Sequence, residues 1–237
     1  MFFEKFVSKL KELKYVSNEL NFDEISFKFE KYFEILVTEN EKYNLTAITE
    51  KDEVYLKHFY DSCYLLNYKS LENLKVLDIG SGAGFPGIPL AILCKNTQFY
   101  LCEPTTKRAK FLEMVASELG LENVIVLNKR AEELDKKYRE YFDVVTSRAV
   151  SALNILMEIS VPFIKTGALF IPLKGSNANE ELNAAKNAMQ VLTVKPIHVY
   201  EYEIDENLCR TLIFFNKYKS TKLKYPRNYS LIKSKPL

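Results

Sequence analysis

The sequence is poor in glycine and lacks the patterns that mark several common classes of protein. Only 7 of its 237 residues are glycine. The four cysteines (Cys63, Cys94, Cys102 and Cys209) form no CxxC pair and no metal-ligand spacing, which favours reduced thiols in a cytoplasmic protein. No apolar run is long enough to cross a bilayer, since the longest uncharged stretch, 79–94, is interrupted by glycine and proline. We therefore expect a soluble protein that holds no metal and does not enter a membrane.

Acidic residues are missing from the C-terminal end. Residues 217–237 hold seven Lys or Arg and no Asp or Glu, whereas residues 1–216 hold 26 basic and 31 acidic residues. A basic, tyrosine-bearing end on an acidic body suits contact with a polyanion, and it suits equally a solvated tail that aids solubility. The composition leaves both interpretations open. Residues 1–15 carry charges throughout, so we expect no signal peptide.

The hydrophobic pattern changes near residue 70. Up to residue 66 apolar residues recur at helical spacing, which predicts about three helices, one of them starting with a capping box at Asn21 and Glu24. From residue 75 onward, strand-like runs alternate with amphipathic ones, a pattern typical of a doubly wound parallel sheet. The predicted strands lie at 75–79, 97–103, 123–128, 142–147, 167–174, 191–203 and 209–217. The last two have no helix between them and should pair antiparallel.

The amphipathic runs predict the helices of the same sheet. They lie from about Pro86, through 112–119, 131–138 and 152–159, and near 176–189. We expect three parts in the chain: an N-terminal helical extension (1–70), a Rossmann-like domain (71–217) and a basic C-terminal tail (218–237).

A glycine-rich loop, which we call the glycine loop (residues 80–87), follows the first predicted strand. Its glycines are Gly80, Gly82, Gly84 and Gly87. Glycine permits a tight turn and close approach of a ligand, and the helix that follows offers free N–H groups. Residues 82–87 satisfy the dinucleotide pattern GxGxxG. Asp78 favours S-adenosylmethionine instead, because a carboxylate so close would repel a pyrophosphate but attract a sulfonium.

Two further acidic positions suit a nucleoside. Glu103 ends the second strand, about twenty residues after the loop, where a carboxylate can accept hydrogen bonds from both ribose hydroxyls of either cofactor. Ala131 and Glu132 follow the third strand, where adenine would lie, although the same residues equally form a plain helix start. These two positions support a nucleoside-binding pocket, but they do not themselves choose between the two cofactors.

Several motifs run in order over nearly the whole chain. They are YNLTAIT (43–49), KHFYDS (57–62), VLDIGSGAGFPGIPL (76–90), KRAKFL (107–112), TSRAVSAL (146–153), PLKG (172–175), KYPR (224–227) and a terminal KPL (235–237). In order and spacing they resemble the bacterial small-subunit ribosomal RNA guanine-N7 methyltransferases, the RsmG or glucose-inhibited division B family. The resemblance implies a Rossmann-like class I fold, with a doubly wound, mostly parallel seven-stranded sheet preceded by helices.

The resemblance also implies S-adenosyl-L-methionine as cofactor. The contacts it carries over are Gly80, Phe85, Ala131, Glu132 and Arg148; Asp78, Gly82, Gly84 and Glu103 complete the candidate cofactor residues. Glu103 departs mildly from the family, in which aspartate is also usual, and ribose binding should survive the longer side chain.

The implied acceptor is N7 of a specific guanine in the 530-loop region of 16S rRNA, and the residues are consistent with that atom. After the fourth strand the chain reads TSRA (146–149), not the Asn/Asp-Pro-Pro-aromatic loop that methylation of an exocyclic amine wants. No cysteine ends that strand or follows a proline, as methylation of pyrimidine C5 would need. Guanine N7 presents a free lone pair and needs alignment rather than a base. We therefore expect no general base.

Candidates for contact with the substrate come from several parts of the chain. The substrate-positioning candidates are His58, Asp61, Arg148 and Lys174, and the RNA-binding candidates are Asn44, Lys107, Arg108, Lys110, Tyr225 and Arg227. The expected partner is 16S rRNA in the small ribosomal subunit, bound by a monomer in the cytoplasm. Two alternatives stay open: a small-molecule methyltransferase, and a nucleotide-binding regulatory protein without catalysis.

Overall fold

The structure, a computed structural model, describes residues 2–17, 19–205 and 208–237. Positions 1 and 18 of the expected helical extension lie outside the described residues. The strands are β1 (Lys75–Ile79), β2 (Gln98–Cys102), β3 (Val124–Leu127), β4 (Phe142–Arg148), β5 (Ile164–Lys174), β6 (Val194–Glu203) and β7 (Cys209–Lys217). They form a seven-stranded sheet in the order β3-β2-β1-β4-β5-β7-β6.

Helices precede the sheet and connect its strands. The α-helices of the described residues are α1 (Phe2–Lys11), α2 (Phe22–Tyr43), α3 (Lys51–Val54), α4 (Asp61–Cys63), α5 (Gly87–Leu93), α6 (Thr106–Glu118), α7 (Leu153–Ser160), α8 (Ala178–Ala184), α9 (Lys186–Leu192) and α10 (Tyr229–Ser234). A π-helix, Tyr55–Tyr60, joins α3 to α4 without interruption. No helix of these residues is both long enough and apolar enough to span a bilayer.

The chain forms two compact units that cut across the expected three-part division. The first unit comprises residues 1–74 and 81–128, and the second comprises residues 75–80 and 129–237. The division into extension, domain and tail stays a prediction.

The first unit has an aromatic core. Phe6 lies edge-on to Phe29 with ring centroids 5.1 Å apart, and Tyr32 stacks on Phe59 at 5.0 Å. All four side chains are buried. Aromatic pairs of this kind contribute about 0.5–1.5 kcal/mol each beyond the area that they bury. The apolar spacing of the N-terminal sequence thus becomes a core of helices.

Helix α2 begins and ends where its sequence indicates. Asn21 caps it, because its Oδ1 accepts hydrogen bonds from the backbone N–H groups of Asp23 (3.1 Å) and Glu24 (3.3 Å). Asn44 ends the helix in the left-handed conformation, with φ of 49°. The predicted N-cap is confirmed, and Asn44, an RNA-binding candidate, is the exposed C-terminal cap.

In the second unit, β1 pairs with β4 and β4 with β5 in parallel, whereas β7 runs antiparallel to both β5 and β6. The predicted antiparallel pairing of the last two strands is confirmed. Lys217 at the end of β7 is fully buried, and its Nζ donates to Glu140 Oε1 at 2.8 Å. It also donates to the carbonyl oxygens of Val161 (3.1 Å) and Ile164 (2.8 Å).

Three predicted helices differ from what forms. Residues 131–138 form two 3₁₀ turns, Ala131–Glu133 and Lys136–Tyr138, because Leu134 between them is extended. The helix expected near 176–189 is split at Ala185 into α8 and α9. The helix predicted around His58 is a π-helix over Tyr55–Tyr60. None of these breaks is marked by glycine or proline, the residues that usually interrupt a helix.

Candidate functional site

Residues 81–87 of the glycine loop belong to the first unit and are held by backbone hydrogen bonds. Ser81 N–H donates to the carbonyl oxygen of Cys102 at the end of β2 (3.3 Å), and Gly84 N–H donates to that of Ser81 (2.7 Å). Gly84 has φ of 101°, and a Cβ there would lie 2.5 Å from Tyr32 Oη and 2.7 Å from Ile88 Cγ1. Only glycine fits this position without strain.

Tyr32 of α2 supports this loop, a role that the sequence did not indicate. Its hydroxyl donates to the carbonyl oxygen of Ala83, and its ring is buried. Within α2 a tyrosine at helical spacing indicates only a core position, so no signal in the sequence distinguished it.

Glu103 also builds the loop. Its side chain is 3% exposed, with Oε2 accepting from Gly82 N–H (3.0 Å) and Oε1 from Thr105 N–H (2.8 Å). A carboxylate oxygen can accept two hydrogen bonds, so each oxygen keeps one lone pair for a hydroxyl of a ligand. The carboxylate at the end of β2 therefore has the acceptors that a ribose needs while it fixes the turn.

His58 lies against Phe85 of the loop, with ring centroids 4.6 Å apart. Its Nδ1 lies 3.2 Å from the carbonyl oxygen of Lys57, and its Nε2 lies 2.8 Å from Thr46 Oγ1. A carbonyl can only accept, so Nδ1 carries the hydrogen and the Thr46 hydroxyl can donate to Nε2. This arrangement holds the imidazole as a support for Phe85. Asp61, its predicted companion, is buried at the start of α4.

The basic residues predicted to meet RNA lie in the first turns of α6. Lys107 and Lys110 are exposed and Arg108 is half-buried. The placement agrees with the sequence, and their contact with RNA stays a prediction.

In the second unit, β1 and β4 present their carboxyl ends side by side. Asp78 is fully buried one residue before the end of β1, and it pairs in register with Thr146. Gly80 follows with φ of 68°, and a Cβ on it would lie 2.6 Å from Val150 Cγ2. Arg148 ends β4 and is half-buried. The sequence placed both residues at these strand ends.

Lys174 does not present a free ammonium. It is 7% exposed, and its Nζ donates to the Ser151 carbonyl oxygen and to Glu181 Oε2, each at 2.7 Å. Glu181 Oε2 also accepts from Leu153 N–H at 2.7 Å. Lys174 thus fixes the start of α7, and its predicted role in positioning the substrate stays a prediction.

Ala131 and Glu132 lie in a 3₁₀ turn of the second unit. Ala131 is buried, and Glu132 Oε1 is buried without a hydrogen-bond partner among the described residues. Burial raises the pKa of the Glu132 carboxyl. A buried acceptor of this kind is costly unless a ligand donates to it.

The two aromatic and basic candidates of the C-terminal segment (residues 218–237) are packed against the second unit. Tyr225 is 6% exposed, and its carbonyl oxygen accepts from Arg139 Nη1 at 2.8 Å. Arg227 forms a bidentate ion pair with the fully buried Glu158, through Nε to Oε1 (2.7 Å) and Nη2 to Oε2 (2.5 Å). Both residues are thus engaged within the protein, and their contact with RNA stays a prediction. The lysines of the segment are exposed.

No group of three or more His, Cys, Asp or Glu side chains in the described part of the chain is arranged to hold a metal ion.

Comparison with known proteins gives one family. The family model described as rRNA small subunit methyltransferase G matches residues 25–211. Ribosomal RNA small subunit methyltransferase G of Streptococcus thermophilus (strain CNRZ 1066) is 43% identical over 238 residues, covering 99% of this chain and 99% of the relative. The protein of that name from Streptococcus pyogenes serotype M4 (strain MGAS10750) is 46% identical over 214 residues, covering 89% and 90%.

Solved structures are similar in fold. A SAM dependent methyltransferase from Aquifex aeolicus gives a TM-score of 0.56 at 17% identity, covering 70% of this chain and 93% of its own. M. jannaschii TYW2, in complex with AdoMet, gives 0.53 at 18% identity, covering 63% and 72%. The predicted Rossmann-like class I fold is confirmed.

Proposed function

This chain belongs to the family described as rRNA small subunit methyltransferase G, and we propose that it methylates N7 of one guanine in 16S rRNA. It is an S-adenosylmethionine-dependent methyltransferase of small-subunit rRNA. The structural observation that best supports this function is the glycine loop: Gly84 has no room for a side chain, and Glu103 holds the loop while it keeps acceptors for a ribose.

The residues present fit S-adenosylmethionine. Glu132 Oε1 is a buried acceptor that lacks a donor among the described residues, and the amine of adenine would supply that donor. Asp78 supplies a buried negative charge at the end of β1, suited to a cationic ligand and unsuited to a pyrophosphate. When bound, the cofactor supplies a methyl group on a sulfonium, which needs no metal and no covalent enzyme intermediate.

Each candidate cofactor residue takes a role from its position. Glu103 accepts hydrogen bonds from the ribose hydroxyls, and Glu132, next to the buried Ala131, accepts one from the adenine amine. The glycines let the ligand approach the loop backbone, and Phe85 is held by His58. The proposed cofactor contacts are Asp78, Gly80, Gly82, Gly84, Phe85, Glu103, Ala131, Glu132 and Arg148.

The protein needs no general base for guanine N7. The lone pair of N7 lies in the ring plane and is free at neutral pH, so the enzyme has to align it and exclude other attacking atoms. We propose that Arg148 contacts O6, a phosphate or the cofactor rather than N7, because a donor on N7 would occupy that lone pair. His58 and Asp61 support the acceptor side, and His58 acts through Phe85.

The proposed partner is the small ribosomal subunit, which places the reaction in the cytoplasm. Lys107 and Lys110 are exposed at the start of α6, where cations oppose the helix dipole and gain from a nearby phosphate. Arg108 beside them, the exposed Asn44 and the exposed lysines of the C-terminal segment are further proposed RNA contacts. That the enzyme acts as a monomer stays a prediction.

The function is tested by mapping the methyl group. Small-subunit particles from a strain that lacks the enzyme are incubated with labelled S-adenosylmethionine, and the 16S rRNA is cleaved by borohydride and aniline at N7-methylguanine. We expect label in 16S rRNA and one new cleavage site, with no transfer by the Glu103→Ala variant and normal transfer by the exposed-site control Glu122→Ala. Label in rRNA without cleavage would contradict N7, and label only in free small molecules would contradict the substrate.

A further inference from the structure

The C-terminal segment lines a cavity in the second unit. The cavity has a volume of about 460 Å³, with Arg130, Glu132 and Glu133 on one side and Pro226, Tyr229 and Ser230 on the other. The second side belongs to the stretch that the sequence suggested as an RNA-binding tail. A segment that closes a cavity beside a candidate cofactor residue has a different task.

This side of the cavity is firmly held. Arg139 Nη2 donates to the carbonyl oxygen of Thr221 (2.6 Å), and its Nη1 donates to that of Tyr225 (2.8 Å). Arg227, which also borders the cavity, is fixed by the fully buried Glu158. Asn228 then caps α10, accepting from Leu231 N–H at 2.9 Å. The wall is therefore preformed, which lowers the entropic cost of binding.

The lining combines a flat surface with the carboxylate side chain of Glu132. The guanidinium of Arg130 lies over the ring of Tyr229, 5.2 Å from its centroid. Glu132 Oε1 is buried and has no partner among the described residues. A planar heterocycle that carries an N–H donor satisfies both features.

An rRNA strand fits this cavity less well than a single nucleoside. Two carboxylates, Glu132 and Glu133, face it, and they would repel the phosphates on either side of an RNA base. The charge of Arg227 is already neutralised by Glu158. S-adenosylmethionine carries an adenine and no phosphate.

We propose that the C-terminal segment forms the outer wall of the adenine pocket, with Tyr229 and Arg130 beside the base and Glu132 accepting a hydrogen bond from its amine. The inference rests on the proposed use of S-adenosylmethionine and adds to it a role for Tyr229. The segment then contributes to cofactor affinity, and its exposed lysines remain available to rRNA.

Calorimetry with S-adenosylhomocysteine and the full-length protein tests the wall. The variants are Tyr229→Ala, which removes the ring, and Tyr229→Phe, which keeps it. The matched control is Tyr218→Ala, in the same segment, half exposed and outside the cavity. We expect Tyr229→Ala to raise Kd about tenfold, and both other variants to stay within twofold of the wild type. Circular dichroism verifies that each variant is folded.

The inosine analogue of the same ligand tests Glu132, because it replaces the amine by a carbonyl. The wild type should bind S-inosylhomocysteine at least about tenfold more weakly than the adenosyl form, and Glu132→Gln should narrow that ratio, since its amide can donate to the carbonyl.

Two results would overturn the proposal. One is an unchanged Kd in folded Tyr229→Ala, which would assign the cavity to an rRNA base if its KM for small-subunit particles rose. The other is equal binding of both ligands by the wild type. A wild type that binds neither ligand would instead contradict the proposed function.

Discussion

The glycine loop and the C-terminal segment are both short stretches near residues that we propose bind the cofactor, and they are held in place by different forces. The loop is fixed by backbone hydrogen bonds and by close packing, such as that of Gly84 under Tyr32. The segment is fixed by charged side chains, Arg227 on Glu158 and Arg139 on backbone carbonyls. We therefore expect the loop to be most sensitive to substitutions that add atoms, and the segment to be most sensitive to substitutions that remove one partner of an ion pair.

The largest effect that we expect is the loss of stability on removing the ion pair that holds the C-terminal segment. Arg227→Ala leaves the buried carboxylate of Glu158 without its cation and with only the backbone N–H of residue 227 as a donor, which should cost about 3–5 kcal/mol in the free energy of unfolding. Urea titration measures it, with the exposed-site variant Lys233→Ala as the control. The double variant Arg227→Ala, Glu158→Gln should lose less, because the buried charge is gone. A wild-type midpoint for the single variant would mean that the ion pair does not hold the segment.

The next largest effect that we expect is the loss of activity when a side chain is added to the glycine loop. Gly84→Ala forces a Cβ against Tyr32 Oη in a conformation that alanine rarely adopts, so kcat/KM for methyl transfer should fall about 100-fold. Gly167→Ala is a matched control, because Gly167 also has positive φ, 87°, but open space around it. It should lose about 1 kcal/mol of stability and keep its activity. Equal activities of the two variants would show that close packing at Gly84 is not needed.

A smaller effect is expected for the exposed lysines of the C-terminal segment, which can contact rRNA while the opposite side of the segment is buried. Changing Lys222 and Lys224 to alanine should raise KM for small-subunit particles a few-fold and reduce the dependence of binding on salt by about 0.7–0.9 per lost phosphate contact. The control changes the exposed Lys136 and Lys137 instead. An unaltered salt dependence in the first pair would remove these lysines from the RNA contacts.

The smallest effect that we expect is a pH-dependent change in stability due to Glu140. Glu140 accepts from Lys217 Nζ, and also from Ser220 Oγ and Thr221 N–H, where the segment begins. Burial alone would raise the pKa of Glu140, but these hydrogen bonds outweigh it and lower the pKa below the ordinary 4.5. A lowered carboxyl pKa gives stability that is present above about pH 4.5 and is lost as pH falls through the folded value.

The measurement for Glu140 is the urea midpoint at pH 7 and at successively lower pH. The wild type should lose part of its stability below pH 4.5, and Glu140→Gln should lose less over the same interval because it has no proton to take up. Parallel curves for the two proteins would mean that Glu140 is not responsible.

What the sequence predicted well depends on neighbouring residues. Strand β1 was predicted with the bounds that it has, because its apolar run and the glycines after it are local signals. The cap at Asn21 is local too. The sequence placed Glu103 at the end of the second strand; in the structure it directly follows β2 and also closes the loop.

The positions that the sequence did not predict depend on partners far along the chain. Arg227 meets Glu158 across 69 positions, and Lys174 meets the carbonyl of Ser151 across 23. A basic residue looks the same in the sequence whether it pairs with a buried acid or with a phosphate, so the sequence could not predict these internal contacts. The π-helix around His58 contains no glycine or proline that would have indicated it in the sequence.

The hydrogen bond from Tyr32 to the carbonyl of Ala83 ties helix α2 to the loop. If a ligand binds the loop only while it is closed, it also selects the molecules in which that helix is docked. Adding S-adenosylhomocysteine should therefore slow deuterium uptake by the amides of α2, a helix for which we propose no cofactor contact.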